Sequence, residues 1–216
     1  MFTFRLILVI MLVRKEVSLM RQFEQLEQML ETQDGMLQTG QVVAAGISKP
    51  VFYQFVRTRG LDQVAHGIYL SKDAWVDVME LLHLRCPQAV FSHETALFLH
   101  DLTDREPLAY SVTVKTGYNP TRLKREGVQV FTIKAELHEV GLTTAKTPFG
   151  HDVPVYDRER TICDVLRSRS QMEMQTLQGA LKAYARGKDK DLRTLMRYAA
   201  LFRIEKILRQ YLEVLL

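Results

Sequence analysis

Polar side chains of the types that contact nucleic acid recur within one short segment, residues 48–58. They are Lys49, Tyr53, Gln54 and Arg57. In a helix these positions share one side. Glutamine can bond to adenine and arginine to guanine in the major groove, whereas lysine and tyrosine can contact phosphates. The segment therefore predicts a DNA-contacting helix, and the alternative is a solvated polar face on a protein-binding helix.

Three neighbouring residues extend this predicted interface. Ser48 precedes the helix as its expected N-cap. Arg59 follows the last turn, and His66 lies in a turn between two short extended pieces. Each of the three could reach a phosphate, although Arg59 fits a surface turn residue equally well.

Short elements surround this segment in the order helix, helix, tight turn, helix, hairpin. Residues 18–31 and 39–45 have helical periodicity, with Thr39 as the expected cap of the second helix. Gly46 permits a tight turn before the third helix, and residues 61–70 predict a hairpin. This order predicts a winged helix-turn-helix. The side chains expected to join its helices are Val42, Val43, Phe52 and Phe55.

The fold class expected is α+β, in two domains. Residues 19–72 form the winged helix-turn-helix, and residues 73–216 form a mixed α+β domain with a helical carboxy-terminal tail. In the second domain, helices are expected at 75–84, 93–100 and 157–168. Three further helices should follow at 174–185, 190–201 and 204–215. Its strands are expected at 111–115 and 128–133, with a hairpin spanning 140–156.

Residues 1–18 form an apolar extension before these domains. The run from Phe2 to Val13 is shorter than the roughly 20 residues of a membrane-spanning helix, and it lacks a signal-peptide cleavage site. We expect an upstream extension or a poorly anchored segment, with Met20 as the alternative start. A monotopic membrane anchor is the competing hypothesis, and no membrane partner is expected.

Composition excludes a disordered or fibrous chain. Hydrophobic residues make up 47% and charged residues 25% of the 216 positions. Cys86 and Cys163 are too few for a disulfide framework or a four-cysteine metal site, so a reducing cytoplasm is expected. The net charge is +4, and residues 167–216 carry 11 basic and 5 acidic side chains.

Two basic stretches lie outside the predicted DNA-binding domain. One falls in a turn, and the other brackets a helical hairpin. They could form a second phosphate-contacting surface on DNA or RNA, and solvated surface charge is the alternative. The stretches comprise Arg122, Lys124, Arg125, Lys182, Arg186, Lys188, Lys190, Arg193 and Arg197.

The last helix suggests a surface for self-association. A homodimer would suit a palindromic operator. The residues of this surface would be Ile204, Ile207, Leu208, Tyr211 and Leu212.

The sequence gives little support for a catalytic site. His93 and His100 have no recognised metal-ligand spacing, so they are expected to be structural. No glycine-rich phosphate loop or Gly-x-Ser-x-Gly elbow is present, and the chain is expected to be neither an enzyme nor a carrier of a metal or cofactor.

Asp157, Arg160 and Asp164 are predicted to form a structural anchor. Asp157 can cap a helix, and Arg160 can pair with Asp164 one turn later. The alternative is a catalytic or nucleotide-binding site.

Four segments, in order, resemble the AbiEi family of type IV antitoxins. They are Gln-Val-Val-Ala-Ala-Gly-Ile-Ser at 41–48, His-Gly-Ile-Tyr-Leu at 66–70, Phe-Ser-His-Glu-Thr-Ala-Leu at 91–97, and the stretch from Val155 to Leu166. The resemblance implies an amino-terminal winged helix that binds double-stranded promoter DNA and represses its own operon. It also implies a carboxy-terminal domain that counters a nucleotidyltransferase-like toxin without forming a stable complex.

The sequence is also compatible with two other functions. One is a nuclease or nucleotidyltransferase-like enzyme whose winged helix selects the substrate. The other is a transcription factor that senses a small ligand in its second domain.

Overall fold

A computed structural model describes residues 2–215, with side chains from Val13 to Glu213. Met1 and the side chains of residues 2–12, which belong to the predicted apolar extension, lie outside the described part, as does Leu216. The chain divides into two compact units, residues 1–76 and 77–216. The described residues form α-helices as well as two β-sheets, which confirms the predicted α+β class.

The first unit contains three helices and a three-stranded antiparallel sheet. Its elements are α1 (Phe2–Thr32), β1 (Met36–Gln38), α2 (Thr39–Ala44), α3 (Lys49–Arg59), β2 (Asp62–Ala65) and β3 (Ile68–Leu70). The sheet order is β1-β3-β2, so β1 pairs with the second strand of the hairpin. Strand β1 was not predicted from the sequence.

Helix α1 starts earlier than predicted. Its backbone is helical from Phe2 to Thr32, with no break at residue 18. No glycine or proline interrupts this stretch. The helix ends before Asp34 and Gly35, which both adopt positive φ angles.

The core of the first unit forms where α1, α2 and α3 meet. Leu26, Val42, Phe52 and Phe55 are fully buried. The rings of Phe23 and Phe55 pack edge to face, with centroids 5.3 Å apart. Val43 is exposed, so its predicted core position is wrong. It follows Val42 by 100° around the short helix, which turns it away from the core.

Two predicted helix caps in this unit need correction. Thr39 is the first residue of α2, since β1 leads directly into the helix, and the Thr39 N–H donates to the Gly67 carbonyl at 2.8 Å. Ser48 occupies the N-cap position of α3, but in the described structure its side chain makes no capping hydrogen bond.

The second unit combines a five-stranded mixed sheet with a group of carboxy-terminal helices. Its first half contains α4 (Val78–Arg85), β4 (Val90–Phe91), α5 (His93–Leu99), β5 (Ser111–Lys115), α6 (Thr121–Arg125) and β6 (Gln129–Ile133). Its second half contains α7 (Ala135–His138), β7 (Leu142–Lys146), β8 (Asp152–Tyr156), α8 (Arg158–Arg167), α9 (Met174–Arg186), α10 (Leu192–Leu201) and α11 (Glu205–Leu215).

The sheet order β6-β5-β4-β8-β7 places β4 at the centre. The strands β4 and β8 are parallel, as are β5 and β6, and the other two pairs are antiparallel. The short helices α6 and α7 were not predicted. The helix expected at residues 75–84 begins at Val78, because Asp77 caps it, and Trp75 is 82% exposed.

Helix α8 lies at the centre of the helical core. All residues from Glu159 to Leu166 are buried, and the helix packs against α5, α9 and α10. Ile204, just before α11, and Leu208 of α11 are also buried, and Ile207, Tyr211 and Leu212 pack against the same core. The predicted self-association surface is therefore wrong, because its apolar residues complete the core of their own unit.

Arg160 is fully buried in α8, where its Nε and Nη1 are hydrogen-bonded and its Nη2 has no hydrogen-bond partner among the described residues. Its Nε donates to Asp164 Oδ2 at 2.9 Å, and its Nη1 donates to the carbonyls of Leu137 and Val140 at 2.9 and 2.7 Å. The guanidinium carbon also lies 4.1 Å from the centroid of the Tyr156 ring. One side chain thus joins α8, α7 with the connection that follows it, and β8.

Asp157 and Gly141 complete this arrangement. Asp157 Oδ1 accepts the Arg160 N–H at 2.7 Å, and Asp157 Oδ2 accepts the Tyr198 O–H at 3.1 Å. Gly141 has a φ of +74°, and a Cβ built there would lie 2.7 Å from Arg160 Cβ. The close approach of backbone to Arg160 therefore needs glycine.

Within the described part of the chain, no helix is both long enough and apolar enough to cross a lipid bilayer.

Replacing Arg160 with alanine should lower the free energy of unfolding by about 3–5 kcal/mol, because Asp164 would keep a buried charge that has lost its main partner. Arg209→Ala removes an exposed pair with Glu205 at the same spacing and should cost no more than about 0.5 kcal/mol. Urea unfolding of both variants measures the difference. Equal losses would contradict the anchoring role of Arg160.

Candidate nucleic-acid interface

Helix α3 has one buried side and one exposed polar side. Phe52, Phe55 and Val56 are buried. The exposed residues opposite them are the predicted Lys49, Tyr53, Gln54 and Arg57, which we call the polar face of α3. The structure therefore brings all four side chains to one surface, because the apolar residues of the same helix occupy the core.

Local sequence features define the ends of α3. Ser48 adopts an extended conformation, and Pro50 lies in the first turn, where its missing N–H is harmless. Gly60 ends the helix with a φ of +64° and donates its N–H to the Val56 carbonyl. The first turn has no acidic residue, so the positive end of the helix dipole adds to the charge of Lys49.

Aromatic contacts hold Tyr53 in place. Its ring centroid lies 5.6 Å from that of Phe52 and 6.3 Å from that of Tyr69. Burial and the neighbouring Tyr53 raise the pKa of Tyr69. Tyr53 itself is 40% exposed. Its side chain is therefore supported by the core and still accessible to a phosphate.

Arg59 is not part of the polar face. Its guanidinium forms an ion pair with Glu27 of α1, a residue 32 positions away. This contact ties the end of α3 to α1. The structure thus favours the alternative interpretation, in which Arg59 is a surface residue with a structural partner.

His66 lies in the turn between β2 and β3 and is exposed. Gly67 beside it has a φ of +72°. The pairing of the two strands shifts register between Gln63 and Ala65. His66 is therefore at the tip of the hairpin, as predicted, on an element separate from α3.

The first predicted basic stretch is partly neutralised. Arg122 Nε lies 3.2 Å from Glu126 Oε1, and Arg85 pairs with the same carboxylate. Burial would raise the pKa of Glu126, but the hydrogen bonds from Arg85 and Arg122 outweigh it and lower that pKa. Lys124 and Arg125 are exposed on the same short helix.

The second basic stretch follows the end of α9, the loop after it and α10. Lys190 donates to the Gly187 carbonyl at 3.1 Å, and Arg197 lies over the Tyr198 ring. Four other cations are exposed and form no ion pair with any residue whose side chain the structure describes: Lys182, Arg186, Lys188 and Arg193. Since α6 packs on β6 while α9 and α10 pack on α8, the two stretches belong to different layers.

His93 is buried and has a strained backbone conformation. Its φ is +50°, its ring stacks on Phe131 at 3.4 Å, and its Nε2 lies 3.1 Å from Ser168 Oγ. Burial, with the charges of Arg167 and Arg160, lowers the pKa of His93 to about 3. A base for use near neutral pH would need a higher pKa.

Cys163 is also buried, and burial raises the pKa of its thiol to about 12. The side chain therefore stays protonated at neutral pH, whereas a cysteine nucleophile acts as the thiolate.

One cluster of ionisable residues was not predicted from the sequence. Asp77, Glu80 and His151 place one ligand-type atom each within 4.8 Å of one another. His151 is 74 residues from Asp77 in the chain, so no spacing motif could have revealed the contact. The only local signal was the position of Asp77 before a helix, as a possible cap.

The chain matches no protein-family model and no curated protein sequence. Its fold is similar to the crystal structure of the RV2827C protein from Mycobacterium tuberculosis, with a TM-score of 0.57. The two sequences are 12% identical, and the match covers 81% of this chain and 69% of that chain. At this identity the similarity concerns the fold alone.

His93→Gln should make stability less sensitive to acid. The pKa of His93 is about 3 in the folded chain, against an ordinary value of 6.5. Between these values the unfolded chain binds a proton that the folded chain excludes, so the free energy of unfolding falls as the pH drops. From pH 7 to pH 5 the wild type should lose about 2 kcal/mol more than His93→Gln.

Urea unfolding at both pH values provides the measurement, with exposed His66→Gln as the matched control. His66→Gln should retain the pH dependence of the wild type. If His93→Gln retained it too, the inferred exclusion of a proton from His93 would be wrong.

Proposed function

We propose that this protein is a DNA-binding antitoxin of the type IV class that represses its own operon. Residues 1–76 would act as a winged helix-turn-helix, with α3 as the recognition helix. The observation that carries the DNA-binding proposal is the exposed polar face of α3, opposite Phe52 and Phe55 in the core. The antitoxin part depends on the sequence resemblance described above.

The order of elements supports a winged-helix interpretation. The helices α1, α2 and α3 precede the hairpin β2–β3, and β1 adds a third strand to that hairpin. In this class of domain the recognition helix enters the major groove, which is about 12 Å wide and admits a helix. The hairpin turn with His66 would then contact the adjacent phosphate backbone.

The polar face offers both kinds of DNA contact. Gln54 and Arg57 can form paired hydrogen bonds with adenine and guanine edges. Lys49, at the positive end of the helix dipole, suits a phosphate. Glu27, the acidic residue that contacts α3, is paired with Arg59, which reduces its effect on an approaching DNA strand.

Two of the antitoxin-like segments meet in the second unit. Phe91 of β4 pairs with Val155 of β8, and α5 packs against α8. The segments 91–97 and 155–166 are thus neighbours in space although they are distant in sequence. This contact supports a role for both segments in one structural unit, which we propose opposes the toxin without forming a stable complex with it.

Arg57→Ala should lower the preference for the operator over unrelated DNA by about 5- to 150-fold, since a paired base contact discriminates by about 1–3 kcal/mol. Lys49→Ala should weaken binding to both DNAs alike and reduce the slope of log affinity against log salt by about one. Footprinting on the upstream DNA defines the operator, and fluorescence anisotropy at several salt concentrations gives the affinities.

Arg21→Ala is the matched control, because Arg21 is an exposed cation on α1 outside the polar face. It should leave the specificity ratio unchanged. DNA binding that is unaffected in both Arg57→Ala and Lys49→Ala would contradict the proposed recognition helix.

The double variant Lys49→Ala/Arg57→Ala should separate the two proposed activities. It should lose repression of a reporter driven by the upstream DNA, because both changes lie on α3. It should still protect cells that co-express a nucleotidyltransferase-like toxin, because the second unit is unchanged. Reporter activity and colony counts provide the readouts.

If the wild-type chain gave the cells no protection, the antitoxin part of the proposal would be contradicted. The DNA-binding part of the proposal would be unaffected. Co-elution of toxin and chain on size exclusion would contradict the proposed absence of a stable complex.

A further inference from the structure

Three potential metal-ligand atoms converge between the start of α4 and the turn that joins β7 to β8. His151 Nδ1 lies 2.9 Å from Asp77 Oδ2 and 3.3 Å from Glu80 Oε2. All three atoms lie within 4.8 Å of one another. The set combines one imidazole nitrogen and two carboxylate oxygens from two separate elements.

The Asp77 carboxylate is held rigidly. Its Oδ1 accepts the N–H groups of Met79 and Glu80 at 2.9 and 3.2 Å, as the cap of α4. Its Oδ2 accepts the Thr147 O–H at 2.5 Å and faces His151. Outer hydrogen bonds of this kind orient the ligands of metal sites.

The turn that carries His151 is also held in place. Thr147 donates its N–H to the His151 carbonyl at 2.9 Å, and its hydroxyl oxygen accepts the His151 N–H at 3.2 Å. Thr147 therefore positions both the backbone of His151 and the carboxylate of Asp77.

The cluster is closed on one side and open on the other. The side chain of Asp77 is 2% exposed, whereas those of Glu80 and His151 are 20% and 29% exposed. An ion could enter from the side of Glu80 and His151, and water could occupy a further coordination position there.

Two of the three separations between these atoms also fit a coordination shell. Ligands at about 2.0–2.2 Å from a metal ion lie about 2.9–3.4 Å from each other in octahedral or tetrahedral sites. The separations of 2.9 and 3.3 Å fall in this range. Two carboxylate oxygens converge on one ring nitrogen, which can present only one hydrogen between them. A divalent cation would interact with all three atoms at once.

We propose that Asp77, Glu80 and His151 bind a divalent transition-metal ion of the zinc class. One imidazole with two carboxylates suits this class, and three protein ligands leave a position for water. His151 would coordinate through Nδ1 and keep its hydrogen on Nε2. The bound ion would link the β7–β8 turn to α4, and this inference is independent of the proposed DNA binding.

Zinc chloride is the probe, and the full chain, freed of metal by chelation, is the sample. Equilibrium dialysis with elemental analysis should give one zinc ion per chain. Glu80→Gln and His151→Gln should each weaken zinc binding at least about tenfold, since each removes a direct ligand. Zinc should also raise the Tm of the wild type more than that of either variant, because it binds the folded chain.

Asp152→Asn is the matched control for the carboxylate. Asp152 follows His151 in the chain, is exposed and pairs with Lys146 at 2.7 Å. His66→Gln is the control for the imidazole, because His66 is an exposed histidine in the first unit. Both controls should bind zinc as the wild type does.

Circular dichroism of the metal-free variants establishes that each is folded before the comparison. The proposal would be overturned if the wild type did not bind zinc. It would also be overturned if Glu80→Gln and His151→Gln both bound zinc as tightly as the wild type. The cluster would then be only an ion pair between histidine and carboxylates.

Discussion

The burial of Phe52 and Phe55 determines the rotation of α3 about its own axis. Phe55 packs edge to face on Phe23 and Phe52 does so on Tyr69, each with centroids 5.3 Å apart. A half-turn of the helix would expose both rings and bury Arg57, which is costly without a partner. Since residues on opposite sides of a helix cannot share one environment, the packing of the two rings places the polar face in solvent. The proposed recognition of DNA depends on this constraint.

A different interaction organises the second unit. Arg160 is buried, and it is tolerated because a carboxylate, two carbonyls and the ring of Tyr156 surround it. These partners come from α8, from α7 and the connection that follows it, and from β8, so the guanidinium specifies how the sheet meets the helical core. A buried ion pair contributes little net stability compared with apolar packing. Its effect here is geometric, because every partner must be present at its own position.

Ionisable side chains in the second unit therefore serve distinct purposes. His93 and Cys163 are buried where burial keeps them neutral, as their pKa values of about 3 and about 12 show. Asp77, Glu80 and His151 instead converge at a partly open site, where charge can be compensated by a cation. The fold shared with the RV2827C protein does not distinguish these roles, which depend on individual side chains. The polar face of α3 and the Asp77 cluster are thus separate candidates for function, each in its own unit.

Local signals in the sequence determined much of the secondary structure and of the candidate interface. The start of α3 followed from Ser48 and Pro50, and its amphipathic pattern identified Lys49 and Arg57, because caps and helical periodicity act within a few residues. The positive φ of Gly60, which ends the helix, came from the structure. Only the tertiary structure decided that Arg59 pairs with Glu27, that β1 joins the hairpin and that Ile204 and Leu208 lie in the core. It alone placed His151 beside Asp77, 74 residues away. Such contacts depend on how distant elements pack. The local sequence around an apolar or charged residue does not determine which distant residue its side chain contacts.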